Sequence, residues 1–98
     1  MAAAWTVNLP SDVQAQLDTL LDIEGERCYA EAVDRIADLR EDPTPPDAIL
    51  LKKTRDHYRF YVCKNRRRVI YRVFFKRRST LIVRVRPRGT AYAGFDRW

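Results

Sequence analysis

The chain has 98 residues, a length that closes around one hydrophobic core and seldom divides into two, so a single domain spanning 1–98 is expected. A composition 46% hydrophobic and 33% charged excludes a disordered or collagen-like chain. Net charge is +6, but residues 1–49 hold three basic and eleven acidic side chains while residues 50–98 hold sixteen basic and two acidic; a half so strongly basic repels itself, and its commonest use is to meet phosphate.

Met1-Ala2-Ala3-Ala4 lacks the basic and long apolar regions of a signal peptide, and no apolar run approaches the ~20 residues that cross a bilayer. A cytoplasmic protein with no membrane partner is expected. Trp5 to Leu9 alternates apolar with polar side chains, as a first strand does. Ser11 with Gln14 forms a capping-box pattern, and Val13, Leu17, Leu20 and Leu21 follow on one helical face. Gly25 breaks that helix, and Tyr29, Ala32, Val33, Ile36 and Leu39 line a second one that ends before Asp42-Pro43. The stretch Asp42 to Asp47, with three prolines, reads as a stiff connection.

From Tyr58 the period becomes two, over Tyr58 to Lys64, Arg67 to Phe75 and Leu81 to Pro87, with joints short enough for an antiparallel meander. Alternation sorts the side chains into two faces. Phe60, Val62, Val69, Tyr71, Val73, Phe75, Leu81, Val83 and Val85 form an apolar face for the helices to cover. Arg59, Tyr61, Cys63, Arg68, Ile70, Arg72, Phe74, Ile82, Arg84, Arg86 and Arg88 form an open one. The result is an α+β fold in two layers, β-α-α-β-β-β, with a helical hairpin packed on a mainly antiparallel sheet and the first strand at a sheet edge. Trp5 and Phe60 are read as core. Cys28 and Cys63, with no second pair and no histidine at ligand spacing, signal neither a disulfide framework nor a zinc site, and are read as small buried apolar groups. No cofactor or metal is expected.

This order of elements, together with Glu41-Asp42-Pro43, Leu51-Lys52-Lys53, Tyr58-Arg59-Phe60, Arg68-Val69-Ile70-Tyr71 and Val85-Arg86-Pro87-Arg88-Gly89-Thr90-Ala91-Tyr92, resembles the RelE/ParE superfamily of type II toxin-antitoxin toxins, and RelE more than ParE. The resemblance to RelE implies a metal-independent endoribonuclease acting on messenger RNA at the ribosome. It places a phosphate-binding cation at Arg59, the arginine gripping the scissile region at Arg68, charge stabilisation or leaving-group protonation at Arg88, and a tyrosine that orients or deprotonates the nucleophile at Tyr92. Tyr61 stands where RelE proper has a lysine implicated as base, and Arg86 and Pro87 stand where Gly and His are frequent, so the general base is open. The resemblance also implies a cognate antitoxin and a toxin-antitoxin hetero-oligomer, with the antitoxin expected to be acidic and to cross the hairpin or displace the Gly94 to Trp98 tail.

Cleavage by the 2′-hydroxyl requires removal of its proton, compensation of charge on the phosphorane and protonation of the 5′-oxygen. Guanidinium groups serve the second need, being always charged and bearing paired donors. Arg68, Arg88, Tyr92 and Tyr61 are therefore the candidate catalytic residues, and Arg59, Arg72, Arg84, Arg86, Lys52 and Lys53 the candidate RNA-binding ones. The bland reading of the arginines is a solubilising face, but such a face mixes both signs, and these strands contain no Asp or Glu. Tyr61 suits base stacking, and His57, the sole imidazole, is a loop histidine or a proton carrier. Two other functions share these features: a ParE-like toxin that inhibits DNA gyrase without hydrolysis, and a non-catalytic RNA-binding module.

Overall fold

The computed structural model describes residues 4–52, 54–87 and 89–91. Among them run β1 (Thr6–Asn8), α1 (Ser11–Glu24), α2 (Glu26–Asp38), β2 (Ile49–Leu50), β3 (His57–Val62), β4 (Arg67–Phe74), a 3-10 turn (Phe75–Arg77) and β5 (Ser79–Pro87). The five strands make one sheet in the order β1-β5-β4-β3-β2, with β1 parallel to β5 and the rest antiparallel. Both helices cover one face of it, an α+β fold of two layers. Strand β2 was not expected: two residues after a proline-rich stretch carry no periodicity, and pairing of Ile49 with Arg59 and Leu50 with Tyr58 is what defines it.

Val13, Leu17 and Leu20 of α1 and Cys28, Ala32 and Ile36 of α2 are buried, as their i, i+4, i+7 and i, i+4, i+8 spacings require. The capping box does not form. Ser11 already lies inside the helix, and the carbonyl of Pro10 accepts from the Val13 and Gln14 N–H groups at 3.1 and 3.0 Å. Gly25 joins the helices at φ +94° and ψ 179°, a conformation almost confined to glycine; its N–H donates to Leu21 and its carbonyl accepts from Tyr29.

The helices meet Phe60, Val62, Val69, Tyr71, Val73, Ile82 and Val85 in one core, with Trp5 partly buried at its margin. Tyr71 is fully buried, and its hydroxyl donates to the Pro43 carbonyl at 2.7 Å, anchoring the proline-rich connection. Two side-chain placements depart from simple alternation. Along β4 and β5, Ile70 pairs with Arg84 but Tyr71 pairs with Ile82, so Val83 is an extra residue and a β-bulge reverses the facing of what precedes it. Ile82 thus joins the core and Leu81 leaves it. Phe75 belongs to the 3-10 turn and is 47% exposed.

The cysteines correct a third expectation. Cys28 and Cys63 are joined in a disulfide with Cα atoms 5.2 Å apart. Strand β3 ends at Val62, and Cys63, Lys64 and Asn65 all have φ between 56° and 68°, which turns Cys63 off the open face and toward the start of α2. Its N–H also donates to Glu31 Oε2 at 3.0 Å.

Candidate RNA-binding face

The open face of the sheet is built from cross-strand rows. Tyr61 lies opposite Arg68, and Arg68 opposite Arg86; Arg59 lies opposite Ile70, and Ile70 opposite Arg84; His57 lies opposite Arg72, and Arg72 opposite Leu81. The rows hold six of the sequence-predicted site residues, Tyr61, Arg59, Arg68, Arg72, Arg84 and Arg86, on one surface. Lys52 is exposed in the turn that follows β2. Lys53, Arg88 and Tyr92 lie outside the described residues, as does the segment from Gly94 to Trp98.

Like charges this close are tolerable where aromatic rings intervene, because the ring face is electronegative. The Arg59 guanidinium lies 4.4 Å from the centroid of Tyr61 and that of Arg68 lies 4.6 Å from it. Tyr61 thereby fixes two cations in place, and a nucleobase arriving here would stack on guanidinium planes as well as on the phenol. Arg84 donates from Nη1 to the Ala91 carbonyl at 3.2 Å; burial, then the charge of Arg86, depresses its pKa, but it remains a cation at any physiological pH. Arg86 borders a groove of ≈380 Å³ between α1 and β5, with Gln16, Arg67 and Thr90 around it. Near the centre of the face, Leu51 and Ala91 cover Ile70 and Val83 in a small second apolar cluster.

His57 opens β3 on the same face. Since a backbone carbonyl can only accept, the 3.0 Å contact of Nδ1 with the Arg55 oxygen makes Nδ1 the protonated nitrogen. Burial lowers its pKa, opposed in part by the Arg55 hydrogen bond, with the charge of Arg72 lowering it further and that of Asp56 raising it. In its neutral form the ring keeps its proton on Nδ1, yet it stands four residues, ~13 Å, along β3 from Tyr61 and in the row of Arg72, away from Arg68.

Sequence reasoning missed Arg67. It is 5% exposed and faces the helices, where its Nε donates to Glu24 Oε2 at 3.3 Å while Arg66 binds Oε1 at 3.0 Å. The Arg66 hydrogen bond holds the Glu24 carboxyl below its usual range, with burial opposing. This pair of contacts ties the end of α1 to the start of β4, the strand that carries Arg68. Glu24 and Arg67 are 43 positions apart, so no local pattern announces them. Among the described residues no cluster of three His, Cys, Asp or Glu could hold a metal ion, and no helix is long and apolar enough to cross a membrane.

The architecture is that of a RelE-like protein. Solved structures similar to it include a double arginine-to-alanine variant of Escherichia coli RelE in the free state, at 13% identity and TM-score 0.73 over 95% of this chain and 93% of that one. RelE in the RelE-RelB complex of Pyrococcus horikoshii is 26% identical, with TM-score 0.69 over 90% of this chain and 99% of that one. The toxin-antitoxin complex RelBE2 of Mycobacterium tuberculosis matches at 21% identity and TM-score 0.65, over 87% and 99%. No family profile and no curated protein matches the sequence.

Proposed function

We propose that this chain is the toxin of a cytoplasmic type II toxin-antitoxin pair and an endoribonuclease that cleaves messenger RNA on the ribosome. The observation that carries the reading is a RelE-like sheet whose open face presents Arg59, Tyr61, Arg68, Arg72, Arg84 and Arg86 in register, without a carboxylate in strands β3 to β5. Arg68, flanked by Tyr61 and Arg86, binds the scissile phosphate and offsets the charge of the phosphorane formed when the 2′-hydroxyl attacks. The resemblance to RelE assigns charge stabilisation or leaving-group protonation to Arg88 and orientation or deprotonation of the 2′-hydroxyl to Tyr92. The step itself needs no metal, because the nucleophile is the RNA's own hydroxyl and the compensating charge is guanidinium.

The partner is an antitoxin, a reading supported by the P. horikoshii and M. tuberculosis neighbours, which are complexes of that kind. An acidic antitoxin segment covering the arginine face would prevent indiscriminate binding of cellular RNA between episodes of activity.

Induced expression in a bacterial host, followed by primer extension on ribosome-bound message, tests the proposal. Growth arrest with new message ends, both abolished in Arg68→Ala, is the expected result, with gyrase supercoiling unaffected in extracts. Arrest with intact message and inhibited supercoiling would replace it with the gyrase-directed alternative.

A further inference from the structure

The far end of the same sheet face repeats the pattern found around Tyr61. Phe74, the last residue of β4, has the Arg72 guanidinium 4.6 Å from its ring centroid and that of Arg77 at 5.3 Å. The 3-10 turn that follows exposes Phe75, Lys76 and Arg77, and a groove of ≈390 Å³ runs between it and Arg55 and Asp56. One carboxylate stands there against the cations of Arg55, Lys76 and Arg77. The turn is anchored from beneath: Val73 N–H donates to the Asp56 carbonyl at 2.9 Å, and Trp5 meets Phe75 edge-to-face at 6.0 Å. Arg68 and Phe74 lie six positions apart on β4, ~20 Å at strand rise, and the Leu51 and Ala91 cover over Ile70 lies between them.

We propose that the β4–β5 turn is a second contact for single-stranded RNA, in which Arg72, Lys76 and Arg77 bind phosphates and the Phe74 and Phe75 rings stack bases of the strand engaged by Tyr61 and Arg68. The proposal rests on the reading of this face as an RNA surface. Rings interleaved with guanidinium groups suit unpaired bases, whereas a duplex keeps its bases stacked inside and offers mainly backbone. An acidic peptide would match the charge but has no use for two ring faces. The separation makes the contact one for flanking nucleotides: a short oligonucleotide reaches one end only, and a longer one bridges both across the central ridge and gains by the effective concentration of the second contact.

Fluorescence anisotropy with a labelled trinucleotide and a labelled single-stranded dodecanucleotide tests it. Wild type should bind the longer RNA far more tightly. Lys76→Ala/Arg77→Ala, both side chains exposed, should weaken the dodecanucleotide roughly tenfold while changing the trinucleotide little, and should flatten its salt dependence by about 1.4 in log–log slope, at ~0.7 per phosphate. Phe74→Leu keeps the apolar volume and should lose part of the same length advantage. Arg27→Ala/Arg40→Ala removes two charges from the helical layer and should leave the advantage intact. A length advantage unchanged in Lys76→Ala/Arg77→Ala, or lowered equally in the helical-layer control, overturns the second contact while leaving RNA binding at Tyr61 and Arg68. Absence of RNA binding by wild type overturns both. Loss of poly-glutamate binding in the variant with RNA binding unchanged overturns the RNA assignment in favour of an acidic protein segment.

Discussion

At the residue scale the face depends on how Tyr61 holds its cations. Its ring accounts for the proximity of Arg59 and Arg68 without using the hydroxyl. Tyr61→Phe should therefore retain cleavage within a few-fold in single-turnover assays, and Tyr61→Ala should lose about tenfold, a cation–π contact being worth ~0.5–2 kcal/mol. Equal, large losses in both variants would make the phenol oxygen the base. Arg68→Ala should cost more, about 10²–10³-fold, the scale of losing one preorganised charge-stabilising donor. His57 predicts a stability effect. Its folded pKa is below the ordinary 6.5, so below pH ~6.5 the unfolded chain binds the proton first and stability falls as pH drops through that value toward the folded pKa. His57→Gln should remove that part of the pH dependence in denaturant titrations; an unchanged profile would contradict the assignment.

At the scale of elements, two joints carry strain or constraint that the sequence states unequally. Gly25 was legible as a break, and its φ of +94° with open space around the missing Cβ makes the cost of Gly25→Ala one of backbone alone, about 1–2 kcal/mol by chemical denaturation. A loss under about 0.5 kcal/mol, half the ordinary glycine-to-alanine difference, would mean the helix junction relaxes freely. The Cys28–Cys63 disulfide was not legible, because residues 35 apart in a chain with no second pair give no sign of meeting. Only the left-handed turn after Val62 brings them together. Closing a loop of that length should stabilise by roughly 3–4 kcal/mol; a midpoint unmoved by a dithiol reductant would contradict it. The bulge at Val83 was hidden for a related reason. The spacing of Leu81, Val83 and Val85 reads as a regular strand, and the tie is broken only by what Ile70 and Tyr71 of β4 pair with on β5. The two helical faces and the arginine rows away from that bulge were legible because period 3.6 and period 2 survive any tertiary context that buries one side.

The whole molecule is electrically polar. The acidic side chains lie mostly in the first half of the chain, which forms the helical layer, and the basic ones mostly in the sheet that the second half supplies. An approaching polyanion is steered toward the sheet and repelled by the helices. RNA affinity should fall steeply with salt, with a log–log slope set by the phosphates that the sheet face engages, ~0.7 for each. A salt-independent affinity would contradict an electrostatic face. The most direct measurement is end-group analysis of ribosome-bound message cut by the purified chain in EDTA. Fragments should carry a 2′,3′-cyclic phosphate and a 5′-hydroxyl, and Arg68→Ala should form them about 10²–10³-fold more slowly. Fragments ending in a 3′-hydroxyl, or cutting that persists unchanged in Arg68→Ala, would contradict attack by the 2′-hydroxyl on this face.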